Sequence, residues 1–184
     1  MFILYAIAIG LAIGLAGGGR VGSLGEIPIR WAPLIVAGFL AQVVLFTPAV
    51  SDQVGPAGPP LYVGSTLLVG VAVVRNLRLP GFPLIVAGAL SNMAAILANG
   101  GFMPAAPGAL ASLGKAAPTT YSNSAVVAAP SLELLTDQFA LPRWLPFANV
   151  FSVGDVLLAT GVAVLLVVTM WRSRRRRASA HAAV

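Results

Sequence analysis

Five apolar segments divide this chain of 184 residues, and they restrict its fold more than any other feature. One crossing of a bilayer needs roughly 20 mostly apolar residues, and four of the segments come close to that length or reach it. A chain with 58% hydrophobic and only 9% charged residues cannot cover a soluble globule with polar surface. The segments are Met1 to Gly18, Trp31 to Val50, Leu61 to Val74, Phe82 to Leu97 and Val150 to Trp171.

These segments predict an all-α fold, a polytopic membrane helix bundle with about five transmembrane helices. We expect one transmembrane domain over residues 1–171 and a basic cytoplasmic tail over residues 172–184. Residues 99–149 form an extended external segment that is too long for an idle loop and too apolar to float in water. We therefore expect this segment to pack against the bundle.

One part of the external segment has a helical pattern. At α-helical spacing, Leu132, Leu135 and Phe139 share one face, and Glu133 and Asp137 share another. Prolines at positions 130 and 142 bound this stretch. The pattern predicts a short amphipathic helix lying at the membrane surface.

Basic residues are distributed unequally between the two sides of the predicted bundle. Only Lys115 and Arg143 fall on the side of the external segment. Short loops rich in arginine stay in the cytoplasm, so we expect a multi-pass protein of the cell (cytoplasmic) membrane with its N-terminus outside and its C-terminus in the cytoplasm. The cytoplasmic set is Arg20, Arg30, Arg75, Arg78, Arg172, Arg174, Arg175, Arg176 and Arg177.

The same distribution indicates the partners of the chain. The lipid bilayer is the first, and the cluster from Arg172 to Arg177 is expected to bind anionic lipid. The net charge of +6 sits beside apolar segments, so nucleic acid is not an expected partner. A small or lipidic ligand, or another membrane protein, is compatible with the pattern.

A six-residue repeat stands in the second and fourth segments. Residues 33–38 read PLIVAG, and residues 83–88 read the same. The match extends to Leu40 and Gln42, which correspond to Leu90 and Asn92. We expect the first four helices to form two parallel hairpins related by duplication, with a fifth helix added.

Glycines punctuate the first segment. Gly10, Gly14 and Gly18 recur every four residues and so form a flat stripe on which another helix can approach closely. The run from Gly17 to Arg20 is expected to end the helix.

The residue types exclude several kinds of chemistry. The chain has no cysteine, and its one histidine, His181, lies in the polar tail. Catalysis by a thiolate or a histidine and the usual zinc sites are therefore excluded. We expect neither a cofactor nor a metal.

The candidate binding residues are Asp155, Asn92, Asn99, Ser152 and Gln42. Gln42 and Asn92 lie mid-segment, where an amide needs a partner, and Asn99 follows two turns after Asn92. Ser152 and Asp155 have the spacing of a capping box, in which the carboxylate binds a free N–H at the helix start. Alternatively, Asp155 faces an outward cavity beside Asn92 and Asn99.

Three stretches of the chain are recognisable as a set: NGGFMP at residues 99–104, SNS at residues 122–124, and FANVFSVGDVLL at residues 147–158. Together they resemble a bacterial membrane family catalogued as domain of unknown function 5317. The resemblance covers nearly the whole chain and implies the membrane fold, and it implies no particular reaction.

Two shorter stretches resemble lipoprotein signal peptidase (signal peptidase II). Residues 88–92, GALSN, are similar to its GAxGNxxDR stretch, and residues 151–155, FSVGD, are similar to its FNxAD stretch. In that family each stretch contributes one aspartate to a pair that activates water. Asp155 matches the second aspartate, whereas Ala95 stands at the place of the first. Asp137 or Glu133 would have to supply the missing carboxylate.

The sequence favours a non-catalytic membrane component for binding, transport or accessory work, with an outward-facing polar pocket. A diverged membrane hydrolase that resembles signal peptidase II and lacks one catalytic aspartate is the alternative. The two functions differ in whether a second carboxylate lies beside Asp155.

Overall fold

The computed structural model describes residues 2–114, 124–127 and 129–181, with side chains up to residue 174. Lys115, Ser122, Asn123 and the side chain of His181 lie outside this description. The α-helices are α1 Phe2–Ala16, α2 Ala32–Leu45, α3 Pro48–Val54, α4 Gly58–Val74, α5 Phe82–Ala98, α6 Pro107–Ser112 and α7 Val153–His181. Short 3-10 helices cover Val21–Glu26, Gly55–Ala57 and Glu133–Leu135.

Each predicted apolar segment contains a helix, and prolines and glycines set the limits. A proline stands in the first turn of α2, α3, α4 and α5, where its missing N–H needs no partner. α1 ends at Ala16 because Gly18 adopts a left-handed φ of 76° and the N–H of Gly19 binds the carbonyl of Gly14. The predicted helix stop at this position is confirmed.

Two boundaries differ from the prediction. α2 ends at Leu45, well before Val50, because Thr47 is extended and Pro48 starts a new helix. Helical structure then continues through α3 and a 3-10 turn into α4, so the third segment is longer than expected.

Two helical stretches are long and apolar enough to cross a membrane, Pro48–Val74 and Val153–Arg174. α1, α2 and α5 are shorter apolar helices. The structure is thus mostly helical with two candidate membrane-crossing helices, and the five-span bundle stays a prediction.

The helices pack in the order α1, α7, α5, α4, α2. α1 runs parallel to α7, since Gly10 lies against Ala163 and Gly14 against Met170. α2 with α4, and α5 with α7, are antiparallel pairs. The expected grouping of the first four helices into two hairpins is therefore wrong: the repeated motif begins α2 and α5, and α1 packs on α7 instead.

The described residues of the predicted external segment fold against the end of α5 and the start of α7 with short strands. β1 (Met103–Pro104) pairs in parallel with β2 (Ser124–Ala125), and β3 (Phe139–Ala140) pairs antiparallel with β4 (Val150–Phe151). The core beneath them joins Tyr62, Ala95 and Met103.

The predicted amphipathic helix over residues 132–139 is wrong. Only one 3-10 turn forms, at Glu133–Leu135, because Leu132 adopts a φ of 52° and the backbone of Asp137 pairs with the strand before α6. The N–H of Asp137 binds the carbonyl of Pro104, and the N–H of Ala106 binds the carbonyl of Asp137. Asp137 is consequently buried, while Glu133 stays exposed.

Candidate functional site

Four glycines let α5 and α7 touch along their backbones. A methyl group on Gly88 would overlap the carbonyl oxygen of Gly154, and one on Gly161 would lie 2.6 Å from the carbonyl oxygen of Gly81. Gly81 and Gly88 are seven residues apart, and so are Gly154 and Gly161. The two contacts therefore recur on the same face of α5 and of α7. Backbone contact of this kind brings together the side chains near the end of α5 and the start of α7.

A network of three polar side chains bridges the two helices at this place. Asn92 on α5 donates from Nδ2 to Oδ1 of Asp155 at 2.9 Å. The hydroxyl of Ser152 donates to Oδ1 of Asn92, also at 2.9 Å. Ser152 is fully buried, and Asn92 and Asp155 are half-buried. An amide, a hydroxyl and a carboxylate thus meet in a partly buried interface.

The same Asp155 also starts α7. Its Oδ2 accepts a hydrogen bond from the N–H of Ser152 at 3.0 Å, and the Oγ of Ser152 accepts one from the N–H of Asp155 at 3.1 Å. These reciprocal bonds form the predicted capping box. The cap and the contact with Asn92 are present together, so one carboxylate serves both arrangements. Two donors and the helix N-terminus suit its negative charge.

Asp137 approaches this network from the external segment. It is 6% exposed. Burial raises the pKa of Asp137 from 3.8 to about 7, and the negative charge of Asp155 adds to the increase. Asp137 is therefore close enough to Asp155 for the charge of Asp155 to act on its carboxyl.

Asn99 takes a different place from the one expected. Its Nδ2 donates to the carbonyls of Ala95 and Ser131, at 2.7 and 2.9 Å, and its Oδ1 accepts from the N–H of Ser131. Asn99 thus fastens the external segment to the end of α5. In the described structure it has no hydrogen bond to Asn92 or Asp155.

Gln42 lies in the other helix pair. Its Nε2 donates to Oγ1 of Thr66 on α4 at 3.1 Å. Gln42 therefore makes the interhelical bond expected of a mid-helix amide, at a distance from the network of α5 and α7.

Sequence reasoning missed two features of this site. The first is the close packing of α5 on α7, where Gly81 and Gly88 face Gly161 and Gly154 in antiparallel order. The seven-residue spacing of these glycines in the sequence could have predicted it. The burial of Asp137 was not readable, because it follows from strand pairing with a distant part of the external segment.

A second asparagine outside the site holds a loop in the same way as Asn99. Asn76 at the end of α4 accepts from the N–H of Arg30 and donates to its carbonyl, both at 2.8 Å. Asn99 makes the equivalent pair of bonds with Ser131. Both asparagines therefore fasten a connecting segment to the end of a helix.

The arginine cluster is described in part. Arg172 and Arg174 are exposed, and Arg174 donates to the carbonyl of Gly17 at the end of α1. A cation suits that helix end. The side chains of residues 175–177 lie outside the described ones.

Comparison with known proteins gives one match. A family described as of unknown function (DUF5317) matches residues 26–167. No curated protein and no solved structure matches the chain.

Proposed function

We propose that this chain, which belongs to the family of unknown function DUF5317, is a five-span component of the cytoplasmic membrane with an outward-facing polar site. Its role is non-catalytic: the site binds a small or lipidic ligand, or steadies a membrane-protein partner. The N-terminus lies outside and the arginine-rich C-terminus in the cytoplasm.

The alternating directions of the helices support the five-span arrangement. α1 and α7 are parallel, α5 is antiparallel to α7, and α2 is antiparallel to α4. A chain that crosses five times has this pattern of directions, and the arginines then collect on one side. The shorter helices are compatible with a bilayer that thins locally around them.

The topology can be measured because the chain has no cysteine. Asp52 on α3 precedes α4 and Arg78 follows it, and both residues are exposed. In intact cells, a membrane-impermeant maleimide should label an Asp52→Cys variant and spare an Arg78→Cys variant until the cells are opened. Labelling of Arg78→Cys in intact cells would contradict the orientation.

The network of Asn92, Ser152 and Asp155 is the observation that carries the binding role. Polar groups are expensive in an apolar helix interface, and a carboxylate there is a functional candidate. The external segment brings a fourth polar group, Asp137, to the same place. One buried hydroxyl on α5, that of Ser91, has no hydrogen-bond partner among the described residues. Such a group has hydrogen bonds left for a bound molecule.

Native mass spectrometry tests the binding role. The purified protein in mild detergent would be incubated with a bacterial polar lipid extract, and retained species would be counted by mass. Wild type should retain a species that Asp155→Asn loses. Gln42→Ala is the matched control, since Gln42 makes an amide–hydroxyl bond outside the site. Equal retention by all three proteins would contradict the proposal.

Hydrolysis in the membrane is the second candidate, and the position of Asp137 favours it. Two carboxyl groups in different environments divide into an acid and a base. In this function Asp155 takes a proton from water while the water oxygen attacks the peptide carbonyl carbon. Asp137, as the neutral acid, gives its proton to the carbonyl oxygen. The tetrahedral diol then collapses: one hydroxyl returns its proton to Asp137, the C–N bond breaks, and the amine nitrogen takes the proton held by Asp155. Asp137 would then replace the aspartate that the resemblance to signal peptidase II places at Ala95.

A fluorogenic lipopeptide distinguishes the two functions. A hydrolase should cleave it below the pKa of Asp137, about 7, and lose activity as rising pH removes the proton. Both Asp137→Asn and Asp155→Asn should abolish cleavage. A protein that binds the lipopeptide and leaves it intact from acidic to neutral pH would be non-catalytic.

A further inference from the structure

Three large aromatic side chains of the external segment are exposed beside the outer ends of α1 and α7. Trp144 is 80% exposed, Phe147 is 69% exposed and Phe139 is 48% exposed. We call this group the aromatic rim. Single exposed apolar residues are ordinary, but three aromatic rings in one short stretch mark an interaction surface.

The rim is attached to α1 and α7. The ring of Phe139 stacks on that of Phe151 with centroids 5.5 Å apart, and Phe151 stacks on Phe2 at 4.4 Å. The hydroxyl of Tyr5 donates to the carbonyl of Pro146, next to Phe147. The rim is therefore held at the level where α1 and α7 begin.

The backbone at Phe147 is held in an uncommon conformation. Its φ of 56° lies in the left-handed region, which costs a bulky residue on the order of 1 kcal/mol. A glycine would adopt this φ without that cost. The strain accompanies a phenylalanine ring that is mostly exposed, so the conformation is consistent with a role in presenting the ring at the surface.

The apolar surface of the helices continues onto the rim. Ile3 and Leu4 on α1, and Val153 and Val156 on α7, are exposed at the same end. Arg143, also exposed, stands next to Trp144. Tryptophan and phenylalanine above an apolar helix surface, with an arginine beside them, match the headgroup region of a bilayer, where rings contact acyl chains and the cation meets phosphate.

We propose that the aromatic rim seats the external segment in the headgroup region of the outer leaflet. This contact with lipid, which we call the seat, holds Asp137 and its strands over the outer ends of α5 and α7. Lipid then lies beside the site. This inference rests on the proposed membrane location.

Tryptophan fluorescence tests the seat. The chain has three tryptophans, and Trp31 and Trp171 lie away from the rim. Wild type and Trp144→Phe would be reconstituted in phosphatidylcholine vesicles with bromine either near the headgroup or deep in the acyl chain. The difference in emission between the two proteins is the emission of Trp144. The emission of the Trp144→Phe variant comes from Trp31 and Trp171.

We expect the Trp144 emission to be quenched more strongly by shallow bromine than by deep bromine, and to be poorly quenched by aqueous acrylamide. Acrylamide quenching of Trp144, with lipid quenching retained by Trp144→Phe, would overturn the seat and leave the membrane location intact. Loss of lipid quenching in both proteins would contradict the membrane location itself. Trp144 protected from both quenchers would indicate a protein partner and would also overturn the seat.

Discussion

The pair α2 and α4 and the pair α5 and α7 each contain one copy of the same six residues, yet their interfaces differ. In the first pair Gly38 lies against the side chain of Val69, and Gln42 binds Thr66. In the second pair Gly88 lies against the backbone of α7, and Asn92 binds Ser152. Both interfaces therefore join a glycine contact to an amide–hydroxyl bond.

The difference lies in what stands beside the hydroxyl. Thr66 is inside α4, and its Oγ1 also binds the carbonyl of Tyr62, so that bond network is closed within the two helices. Ser152 precedes α7, and its N–H donates a hydrogen bond to the carboxylate of Asp155. Asp155 also accepts a hydrogen bond from Asn92, and its charge raises the pKa of Asp137. A duplicated packing motif thus becomes a charged site where it meets the start of a helix.

The largest contrast is expected from alanine at the repeated glycines. Gly88→Ala forces a methyl group onto backbone atoms of Gly154 and Leu158, which cannot move aside, and should cost about 3 kcal/mol or more of unfolding free energy. Gly38→Ala overlaps a methyl group of the Val69 side chain, so one side chain and not a helix backbone has to shift, and it should cost less than Gly88→Ala does. Equal thermal unfolding of the two variants in detergent would contradict the comparison.

The next contrast concerns pH. Because the pKa of Asp137 is raised in the folded state, the folded protein holds a proton that the unfolded chain has released, so stability falls as pH rises from about 4 to about 7. Asp137→Asn removes this loss and should be more stable than wild type by about 4 kcal/mol at pH 8, because each pKa unit of the shift corresponds to about 1.4 kcal/mol. At pH 5 the advantage should be much smaller.

Asp52→Asn is the control for that experiment, since Asp52 is exposed on α3. The loss of stability that Asp137 causes between about pH 4 and about pH 7 should remain in this variant. An Asp137→Asn variant with the same slope of melting temperature against pH as wild type would show that Asp137 is hydrated in the folded protein.

Removing the amides should give a smaller difference. Asn92→Ala leaves Oδ1 of Asp155 and the Ser152 hydroxyl without their shared partner and should cost about 2 kcal/mol. Gln42→Ala should cost about 1 kcal/mol or less, because Thr66 keeps its bond to Tyr62. A double-mutant cycle of Asn92→Ala with Asp155→Asn should show coupling. Additive changes in unfolding free energy would contradict a direct interaction between Asn92 and Asp155.

The smallest contrast is between the hydroxyls. Ser152→Ala removes the acceptor for the N–H of Asp155 and should cost about 1 kcal/mol, as loss of a helix cap does. Thr66→Ala leaves no helix end uncapped and should cost about half as much. Amide hydrogen exchange in the first turn of α7 should rise in Ser152→Ala alone. Unchanged exchange there would argue against the cap.

The sequence predicts the parts of this structure that depend on local pattern. Apolar length locates the five main helices, Gly18 ends α1, and the spacing of Ser152 and Asp155 predicts the cap. The pairing of α1 with α7 and the burial of Asp137 depend on contacts between distant residues. Residues 132–139 do have a helical pattern, yet the backbone of Asp137 donates a hydrogen bond to Pro104 and accepts one from Ala106, and this strand-like pairing prevails over the helix.

The same limit applies to the candidate site. Asn92, Ser152 and Asp155 were readable as polar residues in apolar helices, and the structure places them within hydrogen-bond distance. Asn99 shares their helix face by spacing and is instead bound to Ser131. Its partner lies 32 residues away in a segment whose path the sequence does not specify.

The most direct test is the titration of the Asp137 carboxyl by carbon NMR on protein with labelled aspartates. The chain has only three aspartates, so Asp137→Asn and Asp52→Asn assign the signals. We predict a pKa of about 7 for Asp137 in wild type and a lower pKa in Asp155→Asn, where the neighbouring charge is gone. A pKa near 3.8 in both proteins would contradict a site in which Asp137 is buried beside Asp155.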